Sequence, residues 1–167
     1  MGEGMNTEAT EAVKKKRERL VFKTFIETKT FIEKSGSQII SETVESPEPP
    51  EPDIVCFCQK KEGKVAFELV ELCAEDIARA ISAISKGGLI YIRTEDPSRD
   101  VLRAKLKERY QTKSPVELLC YKAGRTVSPD TVILEEIRPI IDMDNGQFER
   151  IWLLGDQCHL VWPRADA

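Results

Sequence analysis

Pro52-Asp53-Ile54-Val55-Cys56-Phe57-Cys58 and, a few residues on, Val65-Ala66-Phe67-Glu68-Leu69-Val70-Glu71-Leu72 are the stretches whose reading decides the fold. Both are apolar and rich in β-branched residues. Lys60-Lys61-Glu62-Gly63 between them has turn composition, so the pair predicts an antiparallel hairpin. Each strand carries an acid where a buried strand ordinarily has none: Asp53 opens the first behind a proline, and Glu68 stands in the middle of the second. A carboxylate in an apolar strand is costly unless it is paired, hydrogen-bonded or bound to a cation. That cost marks the hairpin as the place to look for function.

Side chains alternate faces along a strand, so the register decides whether the two acids meet. With Glu62-Gly63 as a two-residue turn, Asp53 lies opposite Leu72, on the face of Glu68 but roughly 13 Å from it. Oxygen ligands of Mg²⁺ or Ca²⁺ stand ~2.0–2.6 Å from the ion, so that register gives no shared site. A four-residue loop, Lys60 to Gly63, sets Asp53 opposite Val70. Glu68 is then a diagonal neighbour about 7–8 Å away, and the two acids converge on one ion.

The 167 residues suit a single domain over 11–167 behind a small polar tail, 1–10, that is expected to be disordered. A net charge of -4 sets up no global basic field, so any nucleic-acid surface must be a local patch. Five cysteines with no C-x-x-C pair argue against a disulfide framework and against zinc, and for buried reduced thiols. No apolar run approaches the ~20 residues of a membrane span, and the N-terminus has no signal-peptide pattern. The expectation is a cytoplasmic protein with no membrane partner.

A helix is predicted from about Glu11 to Lys34, with Val21, Phe22, Phe25, Ile26 and Ile32 on one face. Glu18 falls on that side, either as a glutamate at the rim of the buried stripe or as a further acid aimed at the hairpin. Residues 36–51 are rich in proline and glutamate and read as irregular, with a short edge strand at Ile39-Ile40. A helix from Glu75 to Gly87-Gly88 and a strand over Leu89–Ile92 follow. Asp96-Pro97 caps a helix with Leu102, Leu106 and Tyr110 inward. Arg99, Arg103, Lys105, Lys107 and Arg109 make it the most basic element of an acidic chain, a solvated face or a phosphate-facing one. Val116–Tyr121 reads as a central strand buried on both faces. Ser128-Pro129 starts a helix with Ile133, Ile137 and Ile141 inward and a kink at Pro139. A second hairpin, Phe148–Leu154 and Cys158–Trp162, closes the chain, and its His159 reads as structural or exposed. No repeat, P-loop, dinucleotide fingerprint or nucleophile–histidine arrangement occurs.

The acid-bearing hairpin within this order of elements resembles the core of the PD-(D/E)xK phosphodiesterase superfamily. More narrowly, the chain is similar to small proteins that pair a P-D-[IF] strand with an E-[VL]-x-E-L strand. The matches are Pro52-Asp53-Ile54, Glu68-Leu69-Val70-Glu71-Leu72, Lys105-Leu106 with Tyr110, Pro115 to Tyr121 and Phe148 to Trp152, covering roughly residues 15–163. The resemblance implies an α/β (α+β) protein with a restriction-endonuclease-like fold, a mixed central β-sheet flanked by helices. It implies Mg²⁺ or Mn²⁺ held by Asp53, Glu68 and the Leu69 carbonyl, with a catalytic lysine two residues after the second acid. Val70 occupies that position, so either a lysine reaches in from elsewhere, with Lys105 and Lys122 the candidates, or the site is weakened or dead. Arg99, Arg103, Lys107 and Arg109 would then be nucleic-acid contacts.

Three function classes stay open on these residues. The first is a metal-dependent nuclease acting through Asp53 and Glu68. The second is a nuclease-like binding module with a weakened or dead site. The third is an interaction protein whose acids are satisfied by arginines or backbone amides. Val70 and the acidic net charge weigh against the first, and the costly buried acids against the third.

Overall fold

The computed structural model describes residues 3–60, 62–72, 98–123 and 128–164. The helix expected from Glu75, the strand Leu89–Ile92, the Asp96-Pro97 cap and Cys73 lie outside them. The described strands form one five-stranded mixed sheet in the order β1 (Ile54–Phe57), β2 (Lys64–Glu71), β3 (Val116–Tyr121), β4 (Arg150–Leu154), β5 (Cys158–Trp162). β1–β2 and β4–β5 are antiparallel, while β2–β3 and β3–β4 are parallel. All six residues of β3 are buried, as a central strand covered on both faces requires.

Helices flank the sheet on both sides, giving an α/β architecture. On one face α1 (Glu3–Ile26) and α2 (Lys29–Ser35) set Phe22, Phe25 and Phe31 against Phe67, Leu69, Leu119 and Trp152. On the other, α3 (Ser98–Lys107) and α4 (Asp130–Met143) set Leu102, Leu106, Ile133, Ile137 and Ile141 against Ala66, Leu118, Cys120, Ile151 and Leu153. The alternation along β2 sorts its side chains between these two cores, and Glu68 shares the α3/α4 face with Ala66.

Two boundaries differ from expectation, each for a local reason. The N-terminal helix starts at Glu3, inside the stretch expected to be a disordered tail, where Glu8, Ala9 and Glu11 are sound helix formers. It is two helices rather than one. Thr28 takes an extended backbone and its hydroxyl accepts from the Phe31 amide, which caps a new start, and α2 ends on Gly36 at φ 71°. The 36–51 segment holds a 3₁₀ turn over Ser41–Thr43 and two isolated bridges, Ile39 to Cys58 and Glu45 to Val55.

The hairpin register is neither of the two weighed from the sequence. Ile54 pairs with Phe67, which puts Asp53 directly opposite Glu68 across a loop of residues 58–63. The loop is longer because Cys58–Lys60 leave β2 for residues 37–39: the Gln59 amide donates to the Gln38 carbonyl, and the Lys60 amide to the Ser37 hydroxyl.

Candidate functional site

Asp53 and Glu68 are facing residues at the open end of the β1–β2 pair, where directly opposite side chains stand about 4.5–5.5 Å apart at Cβ. Their polar groups interlock. The Asp53 amide donates to Glu68 Oε2 at 3.1 Å, and the Leu69 amide donates to Asp53 Oδ2 at 2.9 Å. The Ala66 and Leu72 amides donate to the β3 side, to the Pro115 and Tyr121 carbonyls, so Leu69 turns its backbone edge the other way. Its carbonyl therefore points to the β1 side with its amide, towards a position where Pro52 has no N–H to offer.

α3 supplies the cation. Lys105 lies on the same helical stripe as Leu102 and Leu106, both buried, so the packing that docks α3 carries the lysine inward. Its Nζ is 2.8 Å from Glu68 Oε1 and 3.3 Å from Glu108 Oε2. It also lies 5.9 Å from the centre of the Tyr110 ring. The Tyr110 hydroxyl donates to Glu108 at 2.7 Å. Burial alone would lower the Lys105 pKa, but Glu68 and then Glu108 outweigh it and hold the ammonium above its ordinary value.

A third acid feels the charge of Asp53. Glu18 of α1 is only 5% exposed, and burial first, then the charge of Asp53, push its carboxyl up to about 7 against the pull of Lys14 and Lys105. Burial and then Asp53 likewise push Glu68 up to about 7, despite Lys105. The centre is thus a crowded acid cluster, Glu18, Asp53 and Glu68, reached by the lysine of α3. Among the described residues no group of three histidines, cysteines or acids forms a ready metal cage.

The other candidate residues are placed elsewhere. Lys122 lies at the far end of β3, where its Nζ is 2.9 Å from Asp130 and 3.4 Å from Asp156. Arg99 meets Glu136 at 3.5 Å, and Arg109 donates to the carbonyls of Leu106 and Glu108 at the end of α3. Arg103 and Lys107 make no ion pair among the described residues; they line a cleft of about 300 Å³ with Leu106, Ile140, Met143 and Asp144. Val70 is half-buried against the α3/α4 core.

A second polar centre went unread in the sequence. The Asp130 carboxylate accepts from the Asp156 and Gln157 amides, each at 3.0 Å, and lies 2.9 Å from both Lys122 Nζ and His159 Nε2. Burial would raise its pKa, but Lys122 and the two amides hold it well below the carboxylate range. Every partner is internal, so this centre staples α4 to the β4–β5 turn. His159 is accordingly structural.

No family model, curated protein or solved structure matches the chain. Among the described residues, no helix is long and apolar enough to cross a membrane. The four described cysteines, Cys56, Cys58, Cys120 and Cys158, are thiols rather than disulfides.

Proposed function

We propose that the chain is a metal-dependent phosphodiesterase of the PD-(D/E)xK type, with the restriction-endonuclease-like arrangement of its elements, acting on nucleic acid. One observation carries the reading: Lys105 Nζ stands 2.8 Å from Glu68, the residue directly facing Asp53. A lysine from a neighbouring helix thereby takes the place that Val70 leaves without a cation.

The residues present fit a divalent ion. Each Glu68 oxygen keeps a lone pair beyond its single backbone or lysine donor, and the Leu69 carbonyl is turned to the same side. Two carboxylates and a carbonyl suit Mg²⁺ or Mn²⁺, since Mg²⁺ keeps several waters and is bound by one or two carboxylates. Burial first, and then the charge of Asp53, raise the pKa values of Glu18 and Glu68, and a cation would relieve the second of these causes. A bound ion supplies charge neutralisation and water activation. Lys105, held by Glu68, Glu108 and the Tyr110 ring, offers its ammonium to charge developing on a phosphoryl oxygen.

A second reading, a nuclease-like binding module without turnover, draws on a different observation. Asp53 and Glu68 already accept from the Leu69 and Asp53 amides and from Lys105, so each has a partner without any ion. Calorimetric titration of Mn²⁺, with a cleavage assay on labelled oligonucleotides, separates the two. The enzyme reading expects heat from the wild type, none from Asp53→Asn, and cleavage lost by at least 100-fold in Lys105→Ala. Mn²⁺ binding without cleavage selects the binding module, and no heat from the wild type removes the metal centre.

A further inference from the structure

The helix that delivers Glu18 also borders an open groove of about 350 Å³ against the 3₁₀ turn. Its walls carry Lys16, Arg19 and Lys23, and its floor is apolar, with Leu20, Ile26 and Val44. Among the described residues no acid lines it, although the chain as a whole carries net negative charge. Lys16 and Lys23 are exposed and make no ion pair among the described residues, and Arg19 donates only to the Val44 carbonyl at 3.4 Å. Lys16 and Lys23, seven residues apart, are separated by about 10 Å along the axis at 1.5 Å per residue. Along the chain its residues neighbour those of the acid cluster: Arg19 follows Glu18 directly, and Val44 precedes Glu45, which bridges Val55 two residues from Asp53.

We infer that this groove is a track for a single nucleic-acid strand leading to the Asp53–Glu68 centre, an inference that rests on the phosphodiesterase reading above. Three unopposed cations at one-to-two-turn spacing match a run of phosphates. The apolar floor between them distinguishes the strand type. A duplex turns its sugars and phosphates outward and keeps its bases stacked, so it would leave Leu20, Ile26 and Val44 against polar surface. An unpaired strand can bury apolar base surface against them while its phosphates meet the lysines.

The test is fluorescence anisotropy in EDTA with a labelled twelve-residue thymidine strand and a twelve-base-pair duplex. The wild type should bind the single strand at least fivefold more tightly than the duplex. K16E/K23E should weaken single-strand binding at least tenfold. It should also flatten the dependence of log affinity on log salt by about 1.4, at ~0.7 per lost phosphate contact. Both positions are exposed, so the thermal melt should be unchanged; K16Q/K23Q, with the same expected loss, is read should the reversal unfold the chain. Asp53→Asn should retain single-strand binding, which keeps this result separate from that of the metal titration. Equal affinity for the duplex overturns the inference, as does single-strand binding that ignores both lysine variants. Lysine-dependent binding to phosphatidylserine vesicles with none to the oligonucleotide overturns it as well. Heat from Mn²⁺ together with any of these outcomes leaves the metal centre standing and removes only the track.

Discussion

At the scale of single residues, Lys105 is the most exposed to test. Removing it leaves Glu68 facing Asp53 with no ammonium nearby, and breaking one side of a buried pair costs about 3 kcal/mol. The cost depends on pH. Below about pH 7 Glu68 takes up a proton and no longer needs the cation, so urea denaturation of Lys105→Ala should show the full loss at pH 8 and a smaller one at pH 5. A loss equal at both pH values would mean that Lys105 stabilises by packing alone. Gly155 is tested by a different constraint. A Cβ there would collide with Asp130 Oδ1, on the carboxylate that staples α4 to the β4–β5 turn. Gly155→Ala should cost about 2–3 kcal/mol, in the range of overpacked cores. A melting temperature that stays where it was would show that Asp130 can move aside.

At the scale of elements, α3 does two things with two of its faces. Leu102, Lys105 and Leu106 turn inward, and Arg103 and Lys107 turn to the cleft against α4. The five cations counted along this helix are therefore not one surface: Lys105 belongs to the acid centre, Arg99 to Glu136, and Arg109 to the helix end. Charge reversal of Arg103 and Lys107 should weaken oligonucleotide binding severalfold and reduce its salt dependence, with the urea midpoint unchanged, since neither is on the buried stripe. Affinity indifferent to both reversal and salt would leave this face solvated.

At the scale of the whole molecule, the two polar centres pull the pH dependence of stability in opposite directions. Glu18 and Glu68 have folded-state pKa values of about 7, above those of the unfolded chain, so the folded form binds more protons and stability falls as pH rises from about 4.5 to 7. Asp130 is depressed, so its contribution is present above its ordinary pKa and is lost as pH falls below it. In EDTA the melting temperature should therefore peak on the acid side of neutrality and decline from pH 5 to 8. Glu18→Gln should remove part of that decline, on the order of 2 kcal/mol, because each tenfold change in proton affinity between the folded and unfolded chain is worth ~1.4 kcal/mol. A profile flat from pH 5 to 8 in the wild type would mean that Glu18 and Glu68 are better solvated than their burial implies.

Much of the architecture was legible in the chain itself. The apolar runs at 54–58 and 65–72, the unbroken apolarity of Val116–Tyr121 and the helical spacing of Ile133, Ile137 and Ile141 are local patterns, and local patterns determine which elements form. The presence of two acids in apolar strands was likewise visible, because a buried charge is costly wherever it sits. Their meeting was not. Register depends on where the chain leaves the ladder, and here it leaves at Cys58 for partners at residues 37–39, some twenty positions away. The choice between Lys105 and Lys122 was equally a matter of tertiary structure. Both are lysines beside apolar residues, and only the docking of α3 on β2 brings one of them to Glu68, while the α4 N-terminus holds the other at Asp130. Glu18 read as a rim glutamate because helical periodicity assigns a residue to a face. What lies beyond that face is decided by how the helix lies across the sheet, and here the charge of Asp53 acts on Glu18.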